Sequence, residues 1–108
     1  MSITLPKPIA DYFTADKADG EAVVRCFVEH AVVTDERKTY AGRDAIRRWK
    51  TEASAKYSYA SEPLAVTCDG DRAIVTSRIT GNFPSSPIDL RYAFVLEGDA
   101  IARLEIMP

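Results

Sequence analysis

The chain has one histidine and two cysteines in 108 residues. Cys26 and Cys68 stand apart, with neither a CxxC pair nor metal-ligand spacing. That scarcity argues against a zinc or iron site and against a disulfide framework, leaving two buried thiols in a reducing cytoplasm as the expectation. Long apolar runs are missing as well, so no membrane span is expected. Met1-Ser2-Ile3-Thr4-Leu5-Pro6 carries no basic stretch leading into an apolar one, so no secretory signal is visible and the expected location is cytoplasmic. Five glycines are spread over turns rather than gathered into a phosphate-binding loop. Charge of one sign is also lacking: fourteen Lys and Arg against sixteen Asp and Glu give a net charge of -2. This supplies no electrostatic basis for binding nucleic acid or an anionic membrane. What remains, 46% hydrophobic and 28% charged, has the make-up of a globular protein. At this length it forms one domain over 1–108, with no cofactor expected.

Periodicity divides the chain in two. Leu5, Ile9, Tyr12, Phe13 and Asp16 recur at helical spacing, predicting a helix over 5–16 with Pro6 and Pro8 in its first turn and Thr4 as its cap. After Lys17-Ala18-Asp19-Gly20, Asp19 is placed to cap a second helix with Val23, Cys26 and Phe27 on its apolar stripe. From Ala31 the pattern alternates: Ala31, Val33 and Asp35 share one strand face, and a turn at Glu36-Arg37-Lys38 returns through Thr39-Tyr40. A third helix over 44–55 has the stripe Ala45, Ile46, Trp49 and Ala53, with Lys50 among the charged residues set off it. The second half is strands and turns. An extended segment over 57–68 is interrupted by Pro63, as an edge or bulged strand would be. Asp69-Gly70-Asp71 and Glu97-Gly98-Asp99 are hairpin signals, flanking strands over 72–80, 88–97 and 101–106. Helices first and an antiparallel meander after make an α+β fold.

Three segments in this order resemble the nuclear transport factor 2-like superfamily. They are Tyr12-Phe13 with Phe27-Val28-Glu29-His30-Ala31-Val32-Val33-Thr34-Asp35; then Gly42-Arg43-Asp44-Ala45-Ile46-Arg47-Arg48-Trp49; and last Tyr92-Ala93-Phe94-Val95-Leu96-Glu97-Gly98-Asp99-Ala100-Ile101. The chain is most similar to the bacterial SnoaL-like and ketosteroid-isomerase-like branches. The resemblance implies a curved sheet wrapped around the helices as a cone, with a hydrophobic pocket at its open end, and frequent homodimers, here packed through the sheet's outer face.

Asp35 is the foremost candidate for chemistry. If Val33 packs inward, Asp35 follows it, and a carboxylate facing an apolar cavity can remove a proton beside a carbonyl. The resemblance places the isomerase branch's general base here; the alternative is a carboxylate that caps the hairpin turn. Tyr12 falls near that branch's oxyanion-donating tyrosine, although spacing alone leaves open whether Tyr12 or Phe13 faces the pocket. Where the branch has a second, acidic donor this chain has Tyr92, which argues against steroid-isomerase activity. Arg78 shares a strand face with Ile74 and Thr76 and could enter the cavity beside Asp35, a partial match to the Asp–Arg–Asp group of epoxide-hydrolysing members. Trp49, Tyr40, Phe83 and Phe94 are candidates to line an aromatic pocket or to be core. His30, at the junction before the first strand, is expected to be exposed. Two functions follow: a cofactor-free isomerase, lyase or cyclase acting on a small apolar carbonyl compound, or a non-catalytic module binding a ligand or a protein.

Overall fold

The computed structural model describes residues 4–56 and 58–108, so Tyr57, read above as the start of an extended segment, lies outside the described residues. Helix α1 (Lys7–Asp16) begins behind Pro6, which occupies the N-cap without a side-chain bond. Thr4 therefore does not cap it, and the helix starts two residues later than its apolar spacing predicts. Pro8 sits in the first turn, where no backbone N–H is required of it. Helix α2 (Gly20–Val24) is capped as expected: Asp19 Oδ1 accepts the Ala22 N–H at 2.8 Å.

Strand β1 (Phe27–Asp35) opens four residues before the alternation becomes visible. Phe27 is fully buried four residues after the buried Val23, a helical interval that sets it on the apolar stripe of the second helix. A register shift between Phe27 and Val32 interrupts the two-residue period, and Glu29, which regular alternation would bury between Phe27 and Ala31, is exposed. Strand β2 (Lys38–Ala41) returns antiparallel, pairing Val33 with Tyr40 and Asp35 with Lys38. The two turn residues, Glu36 and Arg37, both have left-handed backbones, φ 52° and 66°. A two-residue hairpin turn of this kind is the one that Asn-Gly normally fills. Helix α3 (Arg43–Lys56) follows Gly42, with Asp44 in its first turn and Lys56 in its last, both matching the helix dipole. Strands β3 (Tyr59–Asp69), β4 (Arg72–Gly81), β5 (Ile88–Glu97) and β6 (Ala100–Met107) complete the described chain.

The six strands form one curved, unclosed sheet in the order β2-β1-β6-β5-β4-β3. β3 is an edge strand, and its register shifts between Pro63 and Ala65, where proline cannot donate to the ladder. The sheet is not a pure meander: β1 lies parallel to β6, pairing Val33 with Leu104. On the inner face Val33, Val75, Phe94, Ile101 and Leu104 are fully buried against Ile9, Val23 and Ile46 of the helices. Rings fill the space between α1 and β5. Tyr12 meets Phe94 edge-on at 5.5 Å between centroids, and Phe13 lies 5.3 Å from Tyr92. Such pairs add about 0.5–1.5 kcal/mol each beyond the area they bury.

Candidate active site

A cavity of about 610 Å³ has a lining that includes Asp35, Tyr12, Tyr92, Tyr40, Trp49 and Phe83. β1 sets Asp35 there by simple alternation from the buried Ala31 and Val33. α3 sets Trp49 beside it, and the indole Nε1–H donates to Asp35 Oδ2 at 2.9 Å. Burial pushes the Asp35 carboxyl above its ordinary 3.8, against the Trp49 hydrogen bond, which favours the charged form. The Glu36 side chain raises it further by repulsion, while the Glu36 backbone N–H pulls back. Asp35 thus combines both positions considered from the sequence: it lines the cavity and it closes the hairpin.

Of Tyr12 and Phe13, only Tyr12 is among the cavity residues. Tyr92 and Tyr59 join it there. Burial, followed by the Asp16 carboxylate, raises all three hydroxyls above their ordinary range, so each is a neutral donor at neutral pH. Tyr92 is also hydrogen-bonded through Ser61, which lowers it in part; Ser61 in turn meets Ser77 at 2.7 Å. Tyr40 packs its ring 6.2 Å from that of Trp49 at the same wall.

Behind Tyr59 lies a group that no sequence motif announced. Lys50 is buried and its ammonium forms a salt bridge with Asp16, the two side chains being 3% and 7% exposed. Lys50 Nζ also donates to the Tyr59 hydroxyl at 2.6 Å, and that hydroxyl donates to Asp16 Oδ1 at 3.2 Å. The position of Lys50 was legible in outline: Ile46, Trp49, Lys50 and Ala53 follow i, i+3, i+4, i+7. Charge alone had set it off the apolar stripe, a correction that the Asp16 partner explains.

Other expectations fail on geometry. Arg78 is outside the cavity, because Val75, Ser77 and Ile79 take the inward face of β4 and the alternate residues point out. Its guanidinium pairs instead with its cross-strand partner Asp89, at 3.0 Å and 3.3 Å. No Asp35–Arg78 pair forms, and the Asp–Arg–Asp analogy lapses. Phe94 shares the inward face of β5 with Tyr92 but is sealed in the core by Tyr12 and Phe13, away from the cavity. Cys68 is exposed rather than buried, while Cys26 is half-buried with its thiol on the Ala22 carbonyl at 3.6 Å. His30 is exposed, as expected, 3.8 Å from Glu97. Among the described residues no cluster of His, Cys, Asp and Glu could hold a metal ion, and no helix is long and apolar enough to cross a membrane.

A domain model described as SnoaL-like matches residues 9–103. The chain belongs to the SnoaL-like family, within the nuclear transport factor 2-like superfamily. It is 43% identical to a Sinorhizobium meliloti protein named as a candidate polyketide cyclase, over 95% of each chain, with a TM-score of 0.90. A Catenulispora acidiphila protein with a ketosteroid isomerase-like fold, solved with trimethylamine, is 17% identical over 97% of this chain and 87% of its own, TM-score 0.84. SalBIII, an epoxide hydrolase/cyclase-like enzyme of pyran ring formation in salinomycin, is 21% identical over 93% and 86%, TM-score 0.76. At these identities the last two show the shared fold. No functionally curated protein matches the chain.

Proposed function

We propose that this protein is a cofactor-free acid–base enzyme, of isomerase or cyclase type, acting on a small, largely apolar carbonyl compound. One observation carries the reading: a desolvated carboxylate, Asp35, oriented by the Trp49 indole, shares a cavity with the hydroxyls of Tyr12, Tyr59 and Tyr92. Burial makes Asp35 a stronger base than a solvated aspartate, and the Trp49 hydrogen bond limits its rotation. The base removes a proton from the carbon beside the carbonyl. Negative charge then develops on the carbonyl oxygen, where a neutral tyrosine can donate a hydrogen bond. A cavity of about 610 Å³ suits a ligand of one to a few rings. The cyclase name of the Sinorhizobium meliloti relative supports the same class of chemistry.

Proton exchange tests this without knowledge of the natural substrate. With 2-tetralone in D2O, the protein is expected to accelerate loss of the α-proton NMR signal. The rate should rise with pH as Asp35 loses its proton, through a value above 3.8. Asp35→Asn should lose about 100-fold or more, the usual share of a general base. Binding of the ketone, read by the fluorescence of Trp49, the one tryptophan of the chain, without any accelerated exchange would replace the enzyme by the binding module.

A further inference from the structure

Tyr59 lines the cavity on one side and touches a buried ion pair on the other. A lysine ammonium can only donate, so in the 2.6 Å contact the Tyr59 oxygen is the acceptor and Lys50 the donor. The proton of Tyr59 remains to be placed. Its bond to Asp16 is 3.2 Å, long for an O–H···O contact, and the same Asp16 oxygen keeps the Lys50 ammonium as a donor. The hydroxyl proton can therefore turn to an acceptor in the cavity at little cost. When it does, Lys50, Tyr59 and that acceptor form a chain in which each bond polarises the next.

From this geometry we infer that Tyr59 is an anion-binding donor of the cavity, with Lys50 as the residue that polarises it and Asp16 as the buried counter-ion of Lys50. The ligand class is an oxyanion on an apolar frame: an enolate, or a phenolate in its place. The inference rests on the proposed carbonyl-binding role of the cavity and adds a donor that is not on α1 or β5. The Lys50 charge lies one hydroxyl away from the ligand, so it favours the ionised oxygen over the neutral one. A neutral ligand of the same shape gains little from it.

Calorimetric titration with 4-nitrophenolate and with its uncharged counterpart 4-nitrotoluene, above the ionisation pH of the phenol, separates these terms. The intact protein should prefer the phenolate. Tyr59→Phe should reduce phenolate affinity about 10- to 100-fold, the range for a hydrogen bond to a charged group, and leave 4-nitrotoluene unchanged. Lys50→Met alone leaves Asp16 buried without a partner, so the polarising residue is tested with Asp16→Asn and Lys50→Met together. That pair should produce the same selective loss, and adding Tyr59→Phe to it should cost little more. Unaltered phenolate affinity in Tyr59→Phe, or in the paired variant, overturns the inference while leaving the carbonyl-site reading standing. Failure of both probes to bind overturns that reading as well.

Discussion

Replacing Lys50 by methionine removes a charge from a place where water cannot substitute for it. The Lys50 and Asp16 side chains are 3% and 7% exposed, and each is the other's only ion-pair partner among the described residues. Methionine approximates the volume of the aliphatic stem, so packing against Tyr59 is largely kept and the loss is electrostatic. Breaking one side of a buried pair costs about 3–5 kcal/mol, because the remaining charge stays desolvated. For a domain of this size such a loss lowers the thermal midpoint by on the order of 20 °C. It also takes a large share of a total stability of roughly 5–15 kcal/mol. Urea denaturation followed by far-UV circular dichroism, with Trp49 fluorescence as a second probe, measures it directly. Removing the partner at the same time, with Asp16→Asn, should recover most of the loss, bringing the paired variant within about 1–2 kcal/mol of the parent. Two results refute this account. A cost below about 1 kcal/mol for Lys50→Met would make the pair solvent-screened. A paired variant no more stable than the single one would assign the loss to packing.

Asp35→Asn should stabilise the fold at neutral pH, since the amide oxygen still accepts the Trp49 N–H and the desolvated charge is gone. The sign follows from the raised carboxyl: the parent's Asp35 is at its most favourable below 3.8 and becomes costly as pH rises through its folded value. The advantage of the variant in a denaturation series should thus shrink as pH falls through the raised folded value towards 3.8 and be gone below it, and a variant less stable than the parent at neutral pH would contradict it. Arg37→Gly relieves a left-handed backbone, φ 66°, and should stabilise by roughly 0.5–1 kcal/mol after glycine's own entropic cost. An unchanged or lower urea midpoint would mean that the turn carries no such strain.

The helices and hairpins were legible because their signals are local. Asp19 caps α2 through the bond to Ala22 that its position predicts, and Gly70 and Gly98 take the left-handed turns between β3 and β4 and between β5 and β6. The start of β1 was not, because Phe27 stands at a helical interval from the buried Val23 and the exposed Glu29 breaks the alternation before Ala31. The parallel pairing of β1 with β6 was hidden as well, since hydrophobic alternation records which face a strand buries and not which neighbour it joins. At the site, Asp35, Tyr12, Tyr92, Tyr40, Trp49 and Phe83 all reach the cavity. Arg78 does not: its strand offers two alternating faces, each with apolar members, and only the packing of Val75, Ser77 and Ile79 in the folded sheet decides which one points inward. The pairing of Lys50 with Asp16 was hidden for a different reason, although Asp16 falls on the first helix's apolar spacing. Residues 34 apart in sequence neutralise each other only in three dimensions, so Lys50 by itself resembles an ordinary solvated charge.

The place of β6 in the sheet has a consequence for how the protein is made. It lies between β1 and β5, and it is the strand that joins the N-terminal hairpin to the remaining three. While residues 100–107 are still inside the ribosome, β1 and β2 are already outside, with the β1 edge that will meet β6 unpaired. The inward faces of Phe27 and Val33 then lack Ile101 and Leu104, the residues that stand opposite them in the finished sheet. Non-local pairing of this kind is slow, and its intermediates expose apolar surface and open strand edges. Synthesis of the last strand, rather than of the helices, is therefore the event that lets the nascent domain close.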